Sequence, residues 1–512
     1  MLPLKCTTVD KELRRSVAQH AENIALSFED EYWTYNDFNR QVNNFSHRFL
    51  SLGIKKGTKV GVLCEAEPNT LFSMFALSRI GAIPVMFNTS LKRNELKILL
   101  ANTDTEILLI GDGYREIDYR DECKGFCEEL PKLHKILYIG LSGDAKGYTP
   151  LADVPLGDDG LTVEEVLPGD ESYILFTSGT TDVPKAVVTT QYSRVNSGLQ
   201  QAADQGMTEK DKTLVAMPIF HCFCLSVNIM ATLFSGGQIC LPPSRHTEDL
   251  LKTIEKEKVT VFSSVPALFH AMLCRDDFDE WDTGSLRIGF IGGSLYPPQL
   301  FKEIESRFGF TLLSSLGQTE ATSGITTCYP DDDIAIRSTT VGHFMNHVEH
   351  CIKNNEVCVR GYVVMKGYYG NPEATAKAID EDGWLHTGDC GYMDENDNLI
   401  LTGRVKDFII RGGENISSRE IENVCMAFNG FEECKAIGVP DEHYGEQVCL
   451  CIVKKEGCSL TEEDIGEMFA SNVAHYKVPE YILFFDSFPK SLTGKIKVGE
   501  LKDKAVERLS HQ

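Results

Sequence analysis

Residues 174–186 read "ILFTSGTTDVPKA": an apolar run, then Thr177, Ser178, Gly179, Thr180 and Thr181, then Lys185. Small residues let backbone N–H groups approach an anion closely, hydroxyls add donors, and a lysine adds charge. The segment therefore suits a phosphate. It is not a Walker loop, because the Gly-Lys-Ser/Thr ending is missing. Taken alone, it also fits a solvated turn between two strands.

Reading outward, residues 36–53 place Phe38, Val42, Phe45, Phe49 and Leu52 at helical spacing and stop at Gly53. "KVGVLCEA" follows as a buried strand, "NTLFSMFALSRIGAIPVMFN" as helix, glycine turn and strand, and "ELKILLANTDTEILLIGD" as helix and strand. The rhythm returns from Leu250 to Ser294. Such alternation predicts layered α/β structure with partly parallel sheets. Past Leu399 the character changes. A charged turn, a double glycine, a serine-started helix, two alternating runs and a charged helical tail predict a separate α+β unit, with a boundary near Arg404.

The chain has 512 residues, enough for two or three domains. Its net charge of −25 disfavours nucleic acid and anionic membrane surfaces as partners. Seventeen cysteines without a Cys-x-x-Cys pair point to a reducing compartment, and Cys222/Cys224 and Cys449/Cys451 have strand-like spacing. No apolar run reaches transmembrane length, and "MLPLKCTTVDKELRR" lacks a signal-peptide core. A cytoplasmic enzyme is expected.

Seven further segments follow the first in order: "MPIFH" (217–221), "IGGS" (291–294), "LGQTE" (316–320), "GYYGNPEAT" (367–375), "DGWLHTGDCGYMD" (382–394), "GRVKDFIIRGGENIS" (403–417) and "SLTGKI" (491–496). Together the eight resemble the adenylate-forming superfamily of acyl-CoA synthetases, luciferases and peptide-synthetase adenylation domains. The similarity runs from "YWTYNDFN" at residue 32 to "GKIKV" at 498, and carnitine/crotonobetaine–CoA ligase and similar small-acid ligases look nearest.

The resemblance implies a large N-terminal α/β domain with a β-barrel-like subdomain over residues 1–403. It also implies a small mobile α+β domain over 404–512. A carboxylic acid and ATP would give acyl-AMP and pyrophosphate, and coenzyme A would then displace AMP. Lys495 matches the lysine that bridges carboxylate and α-phosphate, Glu320 the Mg²⁺ ligand, and Thr319 an α-phosphate contact. Asp389 matches the ribose-binding carboxylate and Arg404 a second ribose or phosphate contact. The loop residues Thr177 to Thr181 and Lys185, with Gly293, Ser294, Leu316 and Gly317, complete the expected ATP site. His221, Phe223 and Val227 would line the acyl pocket, Ser294 would help shape it, Gly412 and Gly413 the CoA tunnel, and Lys406 the hinge.

An adenylation enzyme loading a carrier protein and a silent nucleotide-binding protein stay open as alternatives. His221 stands where amino-acid-loading relatives have aspartate, which argues against an amino acid. A homodimer is carried as an open expectation. Two residues depart from the pattern: Asp182 stands where relatives have glycine, and Leu316 where they have an adenine-stacking tyrosine. The stretch 350–361 is expected to lack the hairpin that commonly precedes the Glu-x-x-x-Arg-Gly run. Tyr392 and Trp384 are expected in the core. His343, His347 and His350 are spaced to share a helix face, though the family places an irregular loop there.

Overall fold

The computed structural model describes residues 2–156, 163–177, 184–294, 296–405, 408–411, 414–426, 428, 430–441, 444–473, 477–490 and 495–510. Its largest sheet has eight strands. In spatial order they are Gly367–Tyr368, Ala186–Thr190, Glu171–Phe176, Ile83–Met86, Lys59–Leu63, Ile107–Ile110, Lys135–Tyr138 and Thr149–Pro150. From Glu171–Phe176 to Thr149–Pro150 the pairing is parallel, and the first two strands add on antiparallel. The strands "KVGVL" and "ILLI" are apolar runs because helices cover both faces of a parallel sheet.

Helix Tyr35–Ser51 starts at a capping box in which Thr34 and Asp37 satisfy each other's backbone N–H groups. It turns Phe38 edge-on to Phe72 and Phe75 of helix Pro68–Arg79. That second helix is buried on nearly every side, and Gly81, at φ +73, makes the turn into Ile83–Met86.

A second sheet holds Lys212–Leu214, Gln238–Leu241, Ile24–Phe28 and Glu31–Thr34, and bridges at Val261 join it to Ile288–Ile291 and Thr311–Ser314. A four-stranded antiparallel sheet follows: Val348–Lys353, Glu356–Gly361, Leu385–Met393 and Leu399–Arg404. The last sheet runs Glu414–Ser417, Phe408–Arg411, Gly445–Lys454, Phe431–Asp441, with Tyr481–Phe484 added parallel to Gly445–Lys454. Helices Ser418–Met426, Glu462–Asn472 and Val498–Ser510 accompany it. No helix among the described residues is long and apolar enough to cross a membrane.

Four sequence expectations are corrected. Residues 350–361 do form a hairpin: Asn354 and Asn355 take φ 51 and 65 and join Val348–Lys353 to Glu356–Gly361 by a two-residue turn. Asparagine tolerates positive φ, so the missing glycine costs no hairpin. His343 and His350 lie on separate strands and His347 takes φ 63 between them, so the three share no helix face. Tyr392 is exposed rather than core, and Trp384 is half-buried under the Lys353 and Arg360 cations. Cys224 opens the π-helical segment Cys224–Met230, so the Cys222/Cys224 pair is not on a strand, whereas Cys449 and Cys451 are.

Glu67 precedes Pro68–Arg79 at the N-cap without capping it, and its Oε2 is buried without a hydrogen-bond partner. Burial, then the Asp112 and Glu65 charges, push its pKa up to about 8. The native state therefore holds this proton more tightly than the unfolded chain. The penalty is absent below the unfolded pKa and grows until the pH passes the folded one. Glu67→Gln should raise Tm little near pH ~5 and clearly near pH ~8.5. Equal shifts at both pH values in calorimetry would rule out a buried ionising carboxyl.

Candidate active site

The strands Glu171–Phe176 and Ala186–Thr190 hold the phosphate-loop segment between them as a hairpin neck. Thr177 N donates to Lys185 O at 3.0 Å, and Lys185 N donates to Thr177 Oγ1 at 3.3 Å. Ser178, Gly179, Thr180, Thr181 and Asp182 lie outside the described residues. The Lys185 ammonium sits 4.9 Å over the Tyr368 ring. The Tyr368 hydroxyl in turn donates to Glu320 Oε1 at 2.9 Å. Tyr368 thus joins the neck to the Thr319–Glu320 turn.

That turn follows strand Thr311–Ser314 and doubles back sharply. Gly317 bridges Gly324, and a Cβ at Gly317 would stand 2.4 Å from Ser323 O. Thr319 Oγ1 lies 3.9 Å from Cys222 Sγ and donates to it. Leu316 is half-buried against the cluster of Ala321, Ile325 and Met345, and its N–H meets Thr326 Oγ1 at 3.2 Å. At the end of the neighbouring strand Ile288–Ile291, Gly293 takes φ +82 and Ser294 is exposed.

His221 closes a turn onto Pro218 O at 3.1 Å, with its ring 4.6 Å from Phe220. Burial, then the Lys495 and Arg245 charges, push its pKa down to about 4, so it is neutral near pH 7. Phe223 lies half-buried beside a cluster of Val227, Val261, Phe290 and Leu313. Arg245 pairs with Glu65 at 3.1 Å and stacks over Tyr114 at 4.7 Å.

Lys495 is exposed, and desolvation, then the Arg404 charge, lower its pKa. Arg404 Nε donates to Oδ1 of the buried Asp389 at 2.8 Å, directly across the pairing of Leu385–Met393 with Leu399–Arg404. Glu356 braces the loop before Asp389: Gly388 N donates to its Oε1 at 2.9 Å, and His386 Nδ1 lies 2.8 Å from its Oε2. Glu356, Cys358 and His386 bring their ligand atoms within 4.8 Å of one another, but the carboxylate is already spent on that bracing. Lys406, Gly412 and Gly413 lie outside the described residues.

Glu320 fits a hard cation. It offers a partly exposed carboxylate with one oxygen steadied by a phenol, and Mg²⁺ takes one or two carboxylates and completes its shell with water and phosphate. Tyr368, Cys222, Arg245 and Glu356 carry no role in the sequence reading. Tyr368 and Glu356 stand inside or beside quoted segments. Cys222 directly follows "MPIFH". Arg245, in "PPSRH", has no local signal at all.

Residues 13–369 match the model of the AMP-binding enzyme family, and residues 420–495 match that of the AMP-binding enzyme C-terminal domain. The acyl-CoA ligase SID4 of Ajellomyces capsulatus is 30% identical over 520 residues, covering 94% of this chain and 88% of its own. The mitochondrial medium-chain acyl-CoA ligase ACSF2 of Rattus norvegicus is 29% identical, covering 95% and 84%. The crystal structure of the anthranilate CoA ligase AuaEII with anthranoyl-AMP has the same fold, with a TM-score of 0.86 at 24% identity over 99% of both chains. The chain belongs to the AMP-binding enzyme family and is an ATP-dependent, AMP-forming acid–thiol ligase of the acyl-CoA synthetase class.

Proposed function

We infer that the protein activates a small or medium carboxylic acid in two half-reactions at one site. The family match supports this reading, and so does the 2.8 Å pair of Arg404 with Asp389 on the strand that packs against the Thr319–Glu320 turn. In the first half, a carboxylate oxygen attacks the α-phosphorus of ATP and pyrophosphate leaves. A carboxylate and a triphosphate converge, so cations and oriented donors set the barrier. Lys495 lies between carboxylate and α-phosphate, Thr319 donates to the α-phosphate, and Asp389 with Arg404 holds the ribose. Lys185 and the loop before it hold the outer phosphates. Glu320 is the residue that would hold Mg²⁺, which would offset phosphate charge when bound. In the second half, the coenzyme A thiol attacks the acyl carbonyl and AMP leaves.

A neutral His221, with Phe223 and Val227, suits an acid whose body is apolar or uncharged. Medium-chain and small uncharged acids make up the panel to test, with a carnitine-type acid, which carries a fixed cation, as the contrast. Pyrophosphate exchange across that panel, then product formation with coenzyme A against a carrier protein, tests both the reading and the acceptor. Exchange with no acid would sink it. The acidic surface and the free cysteines support a cytoplasmic place. Light scattering would test the homodimer we carry as its assembly.

Leu316 bears on adenine. Its leucine keeps an apolar contact but offers no stacking face. Leu316→Tyr should tighten ATP by about 0.5–1.5 kcal/mol, the scale of an aromatic pair. Weaker ATP binding by calorimetry would mean the pocket is shaped around leucine.

A further inference from the structure

Arg194 is the largest side chain wholly shut from solvent among the described residues. It projects from helix Gln191–Asp204. Its Nη1 donates to Ser226 Oγ and to Thr322 O, each at 3.1 Å, and Nη2 donates to Thr189 Oγ1 at 3.0 Å. Its guanidinium carbon lies 5.5 Å from the Tyr173 ring centre, and Nε is buried with no hydrogen-bond partner among the described residues. Burial lowers its pKa to about 10, so it stays charged near neutrality. No carboxylate pairs with it among the described residues. A buried cation faced only by neutral acceptors is costly, and an apolar side chain would fill the space at less cost. What it holds there is therefore informative.

The acceptor of most consequence is Thr322. This residue takes φ 61 and ψ −36, a conformation that a β-branched residue adopts only under constraint. Ser323 N donates back to Ala321 O at 2.5 Å, so Thr322 is the centre of a strained γ-turn. Two outside contacts hold it. Its hydroxyl donates to Val363 O at 2.7 Å, and its carbonyl accepts from Arg194. The turn immediately follows Thr319 and Glu320, and the Glu320 carbonyl is itself tied to Met365 N at 2.8 Å. The same guanidinium reaches Ser226, four residues beyond Cys222, which Thr319 contacts.

We propose that Arg194 is a positioning residue for adenylation: its buried fork locks the strained Thr322 turn and so fixes the directions in which Thr319 and Glu320 face the nucleotide. This rests on the reading of those two residues as nucleotide-facing.

The test compares wild type with Arg194→Leu and Arg194→Lys in four measurements: pyrophosphate exchange, thioester formation from supplied acyl-AMP, Mg·ATP affinity by calorimetry, and Tm. In Arg194→Leu, exchange should fall about 10–100-fold, the scale for groups that orient a metal's ligands. Mg·ATP affinity should weaken, thioester formation should be unchanged, and Tm should stay level or rise. Lysine keeps the charge but cannot bridge three acceptors in one plane, so Arg194→Lys should fail in exchange as well. Full exchange in Arg194→Lys would overturn the fork. A joint fall of Tm and both half-reactions would make Arg194 a structural residue and also overturn the proposal. So would equal Mg·ATP affinity and equal exchange in wild type and Arg194→Leu. A wild type that binds Mg·ATP yet activates no acid would sink the acid reading alone, since the calorimetric comparison still decides the role of Arg194.

Discussion

Lys495→Ala should nearly abolish acid-dependent pyrophosphate exchange and leave thioester formation from supplied acyl-AMP near the native rate. Desolvation, then the Arg404 charge, already lower the pKa of the Lys495 ammonium. A cation with positive charge nearby is stabilised when anions enter. Carboxylate and triphosphate are those anions. Charge gathers most in the transition state for transfer of the adenylyl phosphorus to the carboxylate, so the loss should fall on kcat of that half. Removal of one preorganised charge-stabilising group costs about 10²–10³-fold by the oxyanion-hole scale. The thiol attack has no carboxylate and no triphosphate to neutralise, so it does not need this lysine. If the small unit rotates about Lys406 to bring Gly412 and Gly413 to the thiol, Gly412→Leu should show the opposite pattern: exchange retained and thioester formation lost. Equal damage to both halves in Lys495→Ala would mean that one arrangement serves both reactions.

How legible this was varied with the physics of each element. Apolar runs and helix stops act over a few residues, so the buried strands and the helix over residues 36–53 could be read directly. Asn354 and Asn355 supply the positive φ of the hairpin at 348–361, which a rule that asks for glycine in the turn does not see. The three histidines matched a helical spacing by coincidence. Positive φ at His347 interrupts the chain between the strands, a backbone fact with no spacing signature. Tyr392 looked apolar but sits on the outer face of its strand, where alternation exposes every second residue. The ordered motifs name Asp389, Arg404, Glu320 and Lys495 as site residues, and of these the structure pairs Arg404 with Asp389. The pairs that orient them join distant segments: Tyr368 to Glu320 and Arg194 to Thr322. A buried arginine is invisible to a rule that sends charge to the surface.

Glu320→Gln should cost adenylation about as much as the lysine change, on the order of 10²–10³-fold in kcat by the same electrostatic scale, and should raise the Mg²⁺ concentration needed for half-maximal exchange. The substitution keeps the side chain's size and its ability to accept from Tyr368, so the turn should hold its shape. Only the negative charge is lost, and that charge is what a hard cation requires of its ligand. Tyr368→Phe separates the two contributions. It leaves the charge and removes the 2.9 Å hydrogen bond to Oε1, freeing the carboxylate to swing. It also keeps an aromatic face beneath the Lys185 ammonium. The phenylalanine variant should therefore lose about 10–100-fold, the cost of an outer-shell partner, and part of that loss should return at high Mg²⁺. The glutamine loss should not be recovered so readily, because added cation cannot restore the missing ligand. Exchange rates measured against Mg²⁺ for both variants decide the point. If Glu320→Gln keeps native Mg²⁺ dependence while its rate falls, the carboxylate acts on the turn and not on the cation, and the ligand role passes to another group.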